Sequence, residues 1–271
     1  MAPCASLAAL FVRWTRTKEG RHTWDRFTLR LPVVGDVTLF ERLEALGVQA
    51  YRFAFEPDAG LWEYRGRKHV HTHSAMMCWV ACDRLSRIAA RLKIPDRARH
   101  WRQHADKLRD RILAEAWNEQ RGAIVGALGG HDLDASVLLL PELGMLPATD
   151  PRFIKTCDLI GRELNRNGYI MRYTAEDDFG APETAFLVCQ FWYIDALAML
   201  NRHGEAREIF KDVIRRRNSY GLLSEDIHPA TGELWGNIPQ TYTMAGIINT
   251  ARIVSRSWEY AWASNPDEKE P

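Results

Sequence analysis

The chain has 271 residues, 46% hydrophobic and 26% charged, with 36 Lys and Arg against 35 Asp and Glu. That composition is ordinary for a globular protein with a sizeable core, in one large domain or two small ones. A charge balance near zero, without blocks of like sign, points away from a nucleic-acid or membrane-surface partner, and no apolar run is long enough to cross a bilayer.

The first 36 residues show no sustained period and are expected to form an irregular leader. MAPCASLAALFV has a short apolar run and no early positive charge, unlike a signal peptide. The five cysteines, Cys4, Cys78, Cys82, Cys157 and Cys189, are odd in number and lie mostly in apolar runs. Reduced thiols and a cytoplasmic location are the expectation.

From Val37 the pattern turns helical. Leu39, Leu43, Leu46, Ala50 and Phe53 recur at the spacing of an amphipathic helix, which Pro57 to Gly60 should stop. A second helix is predicted over 74–92. A third is predicted over 97–117, with Asp96 as its cap. The glycine-rich 118–132 suits a hairpin, with Asp132 or Asp134 capping a strongly apolar fourth helix that starts at Ala135. Asp150-Pro151 reads as an N-cap followed by proline at the first helical position. Further helices are predicted from Pro182, from Glu205 and from Tyr242, and the tail 263–271 reads as disordered. The class is all-α, with nearly apolar helices alternating with amphipathic ones and polar loops of a dozen or so residues on alternate connections. That asymmetry puts the chemistry at one end of a helical barrel. No fixed-period repeat of a scaffold protein is present.

The longest of those loops, YGLLSEDIHPATGELWGNIPQTY, carries Glu225, Asp226 and Glu233 with Trp235, Asn237, Gln240 and Tyr242. An indole can stack on the apolar face of a pyranose, amides read hydroxyls, and a carboxylate can activate water. A solvated, capping turn is the equally good alternative from this loop alone. Glu63 lies in another loop, between Trp62 and Tyr64. Glycoside hydrolysis needs two carboxyls across the scissile bond, one protonated and one ionised. Taken singly, each glutamate fits a surface or capping role better. Arg172 precedes Asp177-Asp178, either as a local ion pair or as a donor to sugar hydroxyls. His69, His71 and His73 alternate, and Cys78 and Cys82 lie one turn apart; core packing accounts for the cysteine pair better than a metal site does.

Four ordered segments then carry a resemblance: PDAGLWEYRG with HTHSAMMCWVACDRL; GGHDLDASVLLLPELGMLPATDPRF; RYTAEDDFGAPETAFLVCQFWYIDALA; and GLLSEDIHPATGELWGNIPQTYTMAGIINTA. They resemble the catalytic domain of glycoside hydrolase family 15, the glucoamylase-like and trehalase-like enzymes, over 37–262. The resemblance implies an (α/α)6 barrel, of which the chain holds about the C-terminal half to two thirds. It also implies inverting hydrolysis of an α-glucoside or oligosaccharide by a glucoamylase-like exo-α-glucosidase, with a trehalase of the same family as the alternative, no cofactor and no obligatory metal. Glu63 falls on the general acid and Glu225 on the general base. Trp62 and Arg172 fall on substrate contacts, and Trp235 is expected to shape the pocket. Residues 1–36 do not match the half-barrel that family members carry before the LWE segment. A second chain or that N-terminal half is therefore expected as a partner, with a truncated remnant that does not turn over as the alternative.

Overall fold

A computed structural model describes residues 36–177 and 180–255. The expected leader, apart from Asp36, and the expected tail fall outside the described residues. The fold is all-α, with short two-residue strands in the loops, and it divides into two compact units. Among the described residues the first unit holds 36–118 and 125–131, and the second holds 119–124 and 132–255.

The first unit is built on three helices: α1 (Val37–Phe53), α2 (Thr72–Arg91) and α3 (Pro95–Ala116). Helix α2 is buried on nearly every face, as its apolar run requires, while α1 and α3 are amphipathic and pack against it. The α1 stripe differs from expectation. It buries Phe40 and Gly47, while Leu46 and Phe53 are 37% and 42% exposed. The cause is Gly47: a Cβ there would stand 2.1 Å from Leu85 Cδ1 and 3.0 Å from the Trp101 ring, so the helix approaches α2 through its bare backbone. Trp101 Nε1 donates to Glu44 at 2.7 Å. Asp83, 1% exposed on α2, pairs with Arg84 and with Arg102 of α3, and accepts from Arg87 Nε at 2.9 Å. Asp96 is not the cap of α3. Pro95 occupies the first helical position, and Asp96 sits within the first turn beside Arg99. Strand β1 (Trp117–Asn118) ends this stretch.

The second unit begins with β2 (Ala123–Ile124). The predicted long apolar helix from Ala135 is instead a 3-10 helix over Ala135–Leu139 followed by the single turn α4 (Leu140–Leu143). Pro141 and the left-handed Gly144 (φ 84°) keep it short. Asp134 does cap this segment, accepting from Ser136 N at 2.8 Å. Helix α5 (Pro151–Glu163) starts as expected, with Asp150 accepting from Arg152 N at 2.9 Å. A hairpin follows, β3 (Asn165–Arg166) against β4 (Tyr169–Ile170), turning on Asn167 and Gly168, both at positive φ.

The helix predicted from Pro182 begins later. Ala185–Phe186 is extended as β5, and α6 runs over Leu187–Met199. After α7 (His203–Arg215), the loop from Tyr220 contains β6 (Asp226–Ile227) and β7 (Leu234–Trp235), and α8 (Thr241–Val254) closes the described fold. Strands β5, β6 and β7 form one antiparallel sheet in which Asp226 opposes both Phe186 and Trp235. Ladder pairing outcompeted helix at 185–186, where Thr184, Ala185 and Phe186 meet a ready partner strand. Helix α6 is buried on most of its faces and is packed by α7 and α8. Gly246 of α8 admits Phe191, whose Cδ2 would stand 2.4 Å from an added Cβ. Among the described residues no helix is long and apolar enough to cross a membrane.

Candidate functional site

The first unit presents Trp62 and Glu63 on the connection between α1 and α2. That connection is closed at its base by a two-bond bridge, Asp58 N to His69 O at 3.0 Å and His69 N to Asp58 O at 3.2 Å. Inside it, Gly60 N donates to Asp58 Oδ1 at 3.0 Å, Glu63 N to Gly60 O at 3.3 Å and Tyr64 N to Ala59 O at 2.9 Å. Glu63 sits at the tip with φ 56°, a left-handed conformation that costs a non-glycine residue about 1–3 kcal/mol. Its side chain is exposed and Trp62 beside it is half-buried.

Behind this turn lie two buried histidines. His73 is in the first turn of α2, and its Nδ1 has no hydrogen-bond partner among the described residues. Burial pulls its pKa down from 6.5 to about 4. The unfolded chain takes up this proton near pH 6.5 while the folded chain refuses it. Stability is therefore complete above that pH and falls as the pH drops toward 4, by up to about 3 kcal/mol at 1.36 kcal/mol per unit. Urea melts at pH 7, 5.5 and 4.5 should show this slope, and His73→Gln should lose that share of it.

The second unit presents Glu225, Arg172 and Trp235. Glu225 is held through its backbone on both sides: Leu187 N donates to its carbonyl at 3.0 Å, and its own N–H donates to Asn237 O at 2.9 Å. Its side-chain Oε2 accepts from Asn237 Nδ2 at 2.8 Å and from Asn237 N at 3.2 Å. Gly236, at φ 77°, leaves the room: a Cβ there would come within 3.0 Å of the same oxygen. The carboxylate is thus aimed by a neighbouring amide and stays half-exposed.

Arg172 is paired locally, with Asp177 Oδ2 at 3.5 Å, and its guanidinium lies 5.2 Å from the Tyr173 ring centroid. The local ion pair expected from the sequence is therefore present, while Asp178 falls outside the described residues. Arg172 Nε is buried without a hydrogen-bond partner among the described residues. Tyr173 donates its hydroxyl to Asp177 at 2.6 Å. Trp235 is 43% exposed, with its ring 5.9 Å from that of His228.

One carboxyl received no role from sequence reasoning. Asp226 is half-buried and pairs with Thr184 Oγ1. Burial raises its pKa, opposed by the Thr184 hydrogen bond and by Arg172 and reinforced by Glu225. Asp226 thus stands in electrostatic reach of both Arg172 and Glu225. Its partner Thr184 lay in a stretch read as helix, which hid the link.

Acidic, aromatic and amide side chains on the interhelical loops of an all-α fold are the chemistry a sugar site uses. A solved structure titled as a wild-type glycosidase aligns with a TM-score of 0.65 at 17% identity, covering 80% of this chain and 59% of that one. A bacterial glucoamylase complexed with acarbose aligns at 0.65 with 14% identity, covering 81% of this chain and 39% of that one. The model of glycosyl hydrolases family 15 matches residues 50–252, and the chain belongs to that family. The trehalase of Mycolicibacterium smegmatis is 35% identical over 212 residues, 77% of this chain. The trehalase of Thermoplasma acidophilum is 35% identical over 196 residues, 72% of this chain. The chain spans about a third of the length of these curated relatives, 32% and 34%.

Proposed function

We propose that the protein hydrolyses an α-glucosidic bond with inversion, Glu63 giving a proton to the departing oxygen and Glu225 taking one from the attacking water. The observation that carries this reading is the mounting of Glu225. Asn237 occupies Oε2 with two hydrogen bonds and leaves Oε1 to hold a water, which is the posture of a general base. Inversion requires the two carboxyls to stand roughly 6.5–9.5 Å apart, with room for that water. Trp62 and Trp235 offer ring faces to a pyranose, and the partly exposed guanidinium of Arg172 can donate to a sugar hydroxyl.

For the sugar, α,α-trehalose ranks ahead of the α-1,4 end of a starch chain. Relatives named trehalase are 30–35% identical, whereas the glucoamylase structure, at 14%, speaks to fold alone. Inversion at one anomeric carbon of trehalose releases one β- and one α-glucose. Proton NMR of the first minutes of reaction should show them in equal amounts. Retained configuration, or no cleavage of either trehalose or maltooligosaccharides, sinks the reading; cleavage of maltose but not trehalose sinks only the choice of sugar. Cys78, Cys82, Cys157 and Cys189 are all buried in the core, in keeping with structural thiols and a cytoplasmic setting.

A second reading is favoured by the chain's span of about a third of its curated relatives. In it the chain binds sugar without turnover until a second chain or further helices complete the barrel. Tryptophan fluorescence that responds to glucose, with no hydrolysis, would support it; hydrolysis by the purified chain would exclude it.

A further inference from the structure

We propose that His71 is a positioning residue, an aromatic shelf that holds the left-handed turn of Glu63 in place. The inference rests on the reading of Glu63 as proton donor for its functional meaning only. A glutamate at φ 56° keeps that conformation only where its surroundings over-determine it. Five backbone and Asx hydrogen bonds close the turn, but three of them lie within Asp58–Tyr64 itself and would move with it. Alongside the Asp58–His69 bridge, a column of flat groups ties the turn to the helix behind it. Gly60 rests on the imidazole of His71, so closely that a Cβ would stand 2.8–2.9 Å from Cδ2, Cγ and Nε2. Tyr64, directly after Glu63, stacks on the same residue at 5.6 Å between centroids and 16° between planes. Arg67 in turn lies 4.6 Å from the Tyr64 centroid. Gly60 and Tyr64, both set against the shelf, therefore bracket Glu63 on either side.

His71 itself is anchored on both sides. It immediately precedes α2, it is bridged to Ala127, and it is 7% exposed. It gives α2 no side-chain cap, and its Nε2 is buried without a hydrogen-bond partner among the described residues. The ring meets the turn through its face, under Gly60 and against Tyr64. Burial pulls its pKa down against the opposing pull of Asp58, with His69 and Arg67 adding to the lowering, and the shelf stays uncharged beside Arg67.

Amide hydrogen exchange on the full chain tests this, with α2 core amides such as those of Leu85 and Ile88 as the internal reference for folding. In His71→Ala, protection at Glu63 and Tyr64 should fall about tenfold or more, the scale of a released left-handed residue, and His71→Phe should restore it. Tyr64→Ala removes the same stack from the outer side and should give the same loss if His71→Ala does not fold. Where turnover is measured, His71→Ala should lower kcat by up to about 10²-fold, the cost of roughly 1 Å of misplacement, with KM little changed. His71→Phe should recover most of it. Unchanged protection at Glu63 and Tyr64 in both alanine variants, or a His71→Phe protein as unprotected as His71→Ala, overturns the proposal. Full turnover by Glu63→Gln would instead remove the catalytic reading of Glu63 and leave the shelf standing.

Discussion

Glu225→Gln is expected to lower kcat by about 10²–10⁴-fold, the span a positioned general base supplies, with no loss of folding stability. Glutamine keeps the length and can still take the Asn237 hydrogen bonds through its carbonyl oxygen, so the β6 hairpin and its backbone bonds should survive. What it cannot do is accept a proton from water. Glu63→Gln should cost a comparable factor on a sugar leaving group, for the different reason that the departing alkoxide then leaves unprotonated. The two roles separate with an aryl α-glucoside whose phenolate leaves without help: Glu63→Gln should recover most of its rate and Glu225→Gln none. Equal recovery by both variants, or turnover untouched in either, removes the assignment. Unchanged melting curves would show that any lost rate is chemistry and not folding.

The second large effect concerns stability. Asp83→Ala should destabilise the first unit by about 3–5 kcal/mol, the cost of leaving buried charge uncompensated. Asp83 is 1% exposed and neutralises Arg84, itself buried, as well as Arg87 and Arg102. Removing it takes a counter-charge from the buried Arg84 and also cuts a direct tie between α2 and α3. Arg87→Ala, half-exposed at its own end, should by contrast cost less than about 1 kcal/mol. Denaturant melts of the two variants check the order; equal losses would mean that Asp83 is worth only its exposed contact.

These elements also show what could be read from the residues alone. Helices α2, α3 and α5 carry apolar runs or periods that burial then follows, and Asp150-Pro151 marks a start through chemistry that no tertiary contact alters. Contact across the chain decided the rest. Residues 185–186 have no strand signature beyond one aromatic, and they are extended because Asp226–Ile227 lies beside them. The face of α1 turns on a glycine, which counts for nothing in a hydrophobic stripe yet lets Leu85 and Trp101 in. Asn167-Gly168 was a legible hairpin signal passed over at the end of a helical run. In the candidate site, Glu63 and Glu225 have neighbours that suit a sugar site, but only the family resemblance singles them out. Asp226, and the ring of His71 beneath the Glu63 turn, could not be singled out, because their roles depend on what packs against them.

The sheet that joins β5, β6 and β7 ties the outlook of Glu225 to a distant stretch of chain. Ala185–Phe186 pairs with Asp226–Ile227, which pairs in turn with Leu234–Trp235, and the Glu225 carbonyl accepts from Leu187 N. An inserted or deleted codon at 184–187 would slip that register and carry the acid with it. The loop that holds the glutamate and the segment before α6 should therefore change length together or not at all.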